Sequence, residues 1–154
     1  MSIGVGFQKK LTGYENIFLS GLLLGYTKEQ VEEKINDIVE FSELGDFIYK
    51  PVSSYSSGMY SKLAFSITAI LETDIMLIDE VLSVGDIHFR EKSYNKMKEL
   101  INDSDRTVVI VSHSTKTIVE LCDKVIWLHD GLIKDEGEPA EIMAKYEEYM
   151  RSLN

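Results

Sequence analysis

The spacing of apolar positions changes once along the chain, near Thr73, and that change separates two kinds of structure. Ahead of it the spacing is helical. Val31, Ile35, Ile38 and Val39 fall on one helical face, and Leu63, Ile67, Ile70 and Leu71 fall on another. Thr12 with Glu15 and Thr27 with Gln30 each match the pattern in which a hydroxyl and a Glu or Gln three residues on satisfy the first free amides of a helix. Gly25 and Gly45 stand where left-handed C-terminal caps are expected. Residues 12–73 therefore read as an all-helical lobe.

Beyond Thr73, strand and helix signals alternate. Ile75–Asp79 is a continuous apolar run, the pattern of a strand buried on both faces; Phe89–Ile101 is a charged amphipathic helix. Thr107–Val111 is a β-branched strand, and Lys116–Cys122 a helix. Lys124–His129 and Leu132–Asp135 flank Asp130-Gly131, a two-residue hairpin signal, and Pro139 opens a last helix ending near Met150. The order predicts an α/β core with a parallel sheet, continued by an antiparallel hairpin. The expected division is residues 1–73, carrying the helical subdomain, and residues 74–154, carrying this core.

Composition narrows the function classes. With 154 residues and 44% apolar content the chain is long enough for one domain, or for two small lobes sharing a core. Sixteen basic against 26 acidic residues leave a net charge of −10, which disfavours a nucleic-acid partner, because phosphate contacts need clustered Lys and Arg. The single Cys122 fits a reducing compartment. The longest nearly apolar stretch, Ile17 to Gly25, is too short to span a bilayer, and no signal peptide is visible, so a cytoplasmic location is expected.

Two stretches carry chemistry. Ligands of parallel α/β sheets bind at the carboxyl edges of strands, and Asp79 and Glu80 stand at such an edge. There an Asp can hold the Mg²⁺ of a nucleotide while the adjacent Glu directs a carboxylate at the water that attacks a γ-phosphate. An apolar run closed by an acidic pair also ends ordinary core strands. Ser56, Ser57 and Gly58 precede a helix, whose free amides and hydroxyls favour an anion; the same residues also serve as a plain N-cap. His113 follows Thr107–Val111 at the same carboxyl edge as Asp79 and Glu80, where an imidazole could donate to a γ-phosphate; His88 and His129 read as structural.

Tyr55-Ser56-Ser57-Gly58-Met59, then Asp79-Glu80, Leu82-Ser83-Val84-Gly85-Asp86 and Ser112-His113, in that order, resemble the second half of the nucleotide-binding domain of ATP-binding cassette (ABC) transporters. The resemblance implies a P-loop NTPase-like fold with a helical subdomain. It implies that Ser56, Ser57 and Gly58 form the signature loop, that Asp79 lies on the Mg²⁺ side, that Glu80 is the general base, that Asp86 sits in the D-loop at the dimer seam, and that His113 is the switch histidine. ATP and Mg²⁺ are the implied cofactors, a membrane permease and a second nucleotide-binding domain the implied partners, and the cytoplasmic face of the membrane the implied location. Where the general family pattern is Leu-Ser-Gly-Gly-Gln, Tyr55, Ser57 and Met59 match the subfamily exporting surface polysaccharides, teichoic acids and O-antigens.

One family element is missing from the sequence. No Gly is followed by Lys, so the phosphate-cradling Walker A loop, G-x-x-x-x-G-K-[ST], has no counterpart. The resemblance sets the start of the chain near the Q-loop, although Phe7-Gln8 stands too close to Glu15-Asn16 to take that role. Two expectations follow: a truncated part of an exporter's ATPase subunit, or an inactive remnant that only complements another chain. Phe7, Tyr14, Phe18 and Tyr26 are the expected apolar contacts of the helical lobe with the permease.

Overall fold

In a computed structural model, residues 6–71, 73–79, 85–102 and 107–153 are described. They form two compact units, 1–109 and 110–154.

The first unit opens with three helices, α1 (Gly13–Leu23), α2 (Lys28–Ser42) and α3 (Ser57–Ile70), packed against one another. Both predicted capping boxes are formed. The Thr12 hydroxyl accepts from the Glu15 amide while the Glu15 carboxylate accepts from the Thr12 amide, and Thr27 and Gln30 repeat the arrangement. Ile17, Val31, Ile38, Ile48, Leu63 and Leu71 are fully buried in a core shared by the three helices and the 3₁₀ turn Gly45–Tyr49. That turn, a second one at Val52–Ser54 and an isolated bridge between Thr12 and Pro51 depart from the expected all-helical lobe. Gly25 and Gly45 are both left-handed as expected, at φ 92° and 53°, but the cap of α2 is Glu43, at φ 56°, two residues ahead of Gly45. Lys92 and Lys62 hold the Glu43 carboxylate at 2.9 and 3.5 Å.

Strand β1 (Ile75–Asp79) pairs with β2 (Thr107–Val111) in a parallel sheet, joined by α4 (Ile87–Ile101). Phe89, fully buried on α4, meets Phe41 and Phe65 edge-on, which fastens α4 to α2 and α3. The expectation that Ile75–Asp79 is buried on both faces does not hold among the described residues. Met76 and Ile78 are buried, whereas Ile75 and Leu77 are 64% and 50% exposed. A pleated strand sends successive side chains to opposite faces, and only one face of this pair is covered.

In the second unit, α5 (Thr115–Leu121) leads to the hairpin β3 (Val125–His129) and β4 (Leu132–Gly137). Asp130 and Gly131, at φ 50° and 77°, form the predicted turn, whose two positive φ values match the twist of the strands. Trp127 packs from β3 onto Tyr146 and Tyr149 of α6 (Pro139–Ser152). His129 is tied to the Tyr149 hydroxyl at 3.0 Å, in keeping with a structural role.

Candidate nucleotide-binding site

The loop before α3 is assembled from residues pointing two ways. Ser56 is the N-cap, its hydroxyl accepting from the Met59 amide at 3.2 Å, with Ser57 exposed in the first turn. Tyr55 turns inward: its hydroxyl donates to the Phe47 carbonyl at 2.8 Å, and burial raises its pKa. Met59 likewise packs on the lobe core. Gly58 has ordinary helical φ, so no backbone strain demands glycine; a Cβ there would find only the Ser56 hydroxyl, at 3.8 Å. An open face at a helix N-terminus suits the close approach of an anion to backbone amides.

Ser56, Gly58 and Asp86 border one cavity of about 390 Å³, together with Glu43, Phe47, Lys62 and Gly85. Asp86 is the N-cap of α4 and accepts from the Phe89 amide at 3.0 Å. Lys62 lies 2.7 Å from the Asp86 carboxylate, and these two hydrogen bonds, with the ammonium charge, lower the Asp86 pKa to about 2. Burial opposes the charge on Lys62, but Asp86 and Glu43 outweigh it and hold its pKa above the ordinary value. Glu43 is lowered chiefly by its hydrogen bond from Lys92. The signature-loop and D-loop candidates therefore meet in one unit, through a lysine that sequence reasoning did not single out. Its only signal was its place one helical turn past Gly58.

Among the described residues, the remaining candidates lie outside this cavity's lining. Asp79 is the last residue of β1, at the predicted carboxyl edge, and Glu80 lies outside the described residues. His113 belongs to the second unit, exposed between β2 and Ser114, the N-cap of α5. No group of three or more His, Cys, Asp or Glu among the described residues is arranged to hold a metal. Mg²⁺ needs no such group, since one or two carboxylates, water and nucleotide phosphates complete its shell, and an Asp at a strand's carboxyl edge is a residue type suited to that ion. No helix among the described residues is long and apolar enough to cross a membrane.

No family model matches the chain. Individual relatives do. The teichoic acids export ATP-binding protein TagH of Lactococcus lactis is 48% identical over 151 residues, which are 98% of this chain and 32% of that protein. TagH of Staphylococcus haemolyticus is 39% identical over 99% of this chain and 58% of its own length, and the O-antigen export ATP-binding protein RfbB of Myxococcus xanthus is 41% identical over 96% and 34%. The chain thus spans about a third to just over half of these relatives. Among solved structures, the ATP-binding subunit of an ABC transporter superposes with a TM-score of 0.76 at 20% identity, covering 96% of this chain and 60% of that one. A dimeric ATP-binding cassette bound to ADP and phosphate gives a TM-score of 0.68 at 23% identity, over 88% of this chain and 60% of its own. The fold is that of an ABC ATPase domain with a helical subdomain, and over nearly its whole length the chain is homologous to ATP-binding proteins of teichoic acid and O-antigen export.

Proposed function

We propose that the chain forms the signature-loop part of an ATP-hydrolysing subunit that drives export of a surface polysaccharide or teichoic acid. The observation that carries this reading is the open Gly58 face beside the Ser56 cap, in a cavity shared with Asp86. Ser56, Ser57 and Gly58 receive the γ-phosphate of a nucleotide held by a second nucleotide-binding domain, and Asp86 lies at the seam between the two. Asp79 at the end of β1 stands on the Mg²⁺ side. Glu80 is the general base, a role that typically supplies roughly 10²–10⁴-fold in rate, and His113 orients the attacking water. ATP bound with Mg²⁺ supplies the phosphoanhydride whose cleavage drives transport. Residues 1–73 form the signature-bearing subdomain and residues 74–154 the remaining part of the ATPase core.

The protein acts at the cytoplasmic face of the membrane, bound to a permease, with no nucleic-acid partner. Tyr14, Phe18, Tyr26 and Phe7 pack partly buried on the lobe core, while Leu22, Leu23, Phe47 and Tyr49 are more than half exposed and extend the apolar surface such a permease would meet.

The test uses a complete ATP-binding subunit containing this segment. Gly58→Asp adds a carboxylate where the γ-phosphate must approach, and the expected outcome is loss of ATP-dependent dimerisation with the far-ultraviolet spectrum unchanged. Dimerisation equal to the parent would reduce the loop to a helix cap.

A second reading rests on the missing Gly-Lys pair. Tight nucleotide binding needs a lysine and several amides around the β- and γ-phosphates, so the 154-residue chain alone is a complementing module with millimolar ATP affinity, roughly −4 kcal/mol. At about 1 mM Mg-ATP the linkage is under about 0.5 kcal/mol, and no turnover and no resolvable thermal shift are expected. Micromolar binding by calorimetry, with turnover abolished by Glu80→Gln, would overturn this second reading.

A further inference from the structure

Lys62 does more than pair with one carboxylate. Its stem runs along Gly85, which is left-handed at φ 73°; a Cβ there would press on Lys62 Cε and Cγ at 3.1 and 3.3 Å and on Phe89 Cβ at 3.3 Å. Its ammonium is 2.7 Å from Asp86 and 3.5 Å from Glu43, 5.0 Å above the Phe89 ring, and its side chain is only 14% exposed. A residue of α3 thus grips three successive features of another segment: a glycine that leaves room for its stem, an acid that meets its charge, and a ring beneath it. Those features follow directly on residues 80–84, whose other end is Asp79 at the close of β1.

We propose that Lys62 is a positioning residue that latches Gly85, Asp86 and the first turn of α4 onto the signature helix, so that Ser56–Gly58 and residues 85–92 shift together. The consequence for catalysis rests on the function proposed above; the latch itself does not. An ammonium that is mostly shielded from water and shared between two carboxylates loses its geometry if the charge goes, and keeps much of it if a guanidinium replaces it.

Hydrogen exchange on the 154-residue chain tests the latch without nucleotide. Lys62→Met keeps an apolar stem but no charge, and amide exchange across residues 85–92 is expected to rise by about tenfold, with α1 unchanged. Lys62→Arg should return exchange to within about threefold of the parent, and Lys62→Asp combined with Asp86→Lys should recover part of the protection. Equal exchange in the Met variant and the parent, or the same acceleration in Met and Arg, would overturn the latch, since packing alone does not distinguish charge.

In a complete subunit that hydrolyses ATP, Lys62→Met should lower kcat about tenfold with KM for ATP within about twofold, and Lys62→Arg should restore it. An unchanged kcat there would overturn the joint movement. A parent subunit without turnover would instead sink the ATPase reading and leave the exchange result as the support for the latch.

Discussion

The three-helix lobe is built partly from charged, amphipathic stretches and the β1–β2 pair from nearly unbroken apolar ones, yet it is the lobe that closes on itself. In the lobe, Ile17, Val31, Ile38, Leu63 and Leu71 lose all solvent contact to neighbours within about 60 residues of sequence. In the strand pair, Met76 and Ile78 find cover while Ile75, Leu77 and Val109 stand 64%, 50% and 45% exposed. A helix presents one apolar stripe and needs one partner. A strand of unbroken apolar residues presents two faces, and the cover for each must come from separate elements. Local pattern therefore suffices for the lobe, whereas the sheet depends on what else is packed against it.

The largest expected effect tests the closed side. Ile38→Ala empties a fully buried position in α2 and should cost about 2–5 kcal/mol in urea unfolding of the chain. A loss below about 1 kcal/mol would erase the contrast, because the lobe would then be as loosely filled as the sheet.

A smaller effect sharpens the comparison where α4 joins the lobe. Asp86 has its pKa lowered to about 2 from an ordinary 3.8 by Lys62 and the Phe89 amide. A carboxylate whose folded pKa lies below its unfolded one contributes stability that is present above about pH 4 and lost as pH falls towards 2. Thermal melts should show this slope, and Asp86→Asn should flatten it between those limits. An Asn variant with the parent's slope would assign the acid sensitivity to other carboxylates.

The smallest effect lies on the open face. Leu77→Thr removes an exposed apolar group and should change the unfolding free energy by no more than about 0.5 kcal/mol, while lowering self-association seen by light scattering. A cost above about 2 kcal/mol would mean that Leu77 is covered in solution.

How much was legible follows the same division. The capping boxes at Thr12 and Thr27 and the Asp130-Gly131 turn were readable because each is a contact between residues at most three apart. Tyr55–Met59 marked the loop and Asp79 the strand end, for the same local reason. Gly45 is left-handed as its spacing suggested, but that α2 is capped two residues earlier, at Glu43, was not legible, and the partner of that carboxylate, Lys92 of α4, lies 49 residues away. Lys62 was invisible as a site residue because its meaning comes from Gly85 and Asp86, which only folding brings beside it. The open face of β1 could not be read either, since an apolar run does not tell how many elements will cover it.

The five letters from Tyr55 to Met59 hold two interleaved vocabularies. Tyr55 answers to the interior, through the Phe47 carbonyl and the lobe core, while Ser56 and Gly58 answer to whatever enters the cavity, and Met59 touches both. A spelling change at Tyr55 thus records how a subdomain is filled, not what it recognises. Two domains can differ there and still read the same phosphate; two that share Tyr can be expected to share an interior before they share a cargo. Exchanging Tyr55 between subfamilies is accordingly a repacking problem, solved or failed beneath the surface on which Ser56 and Gly58 stand.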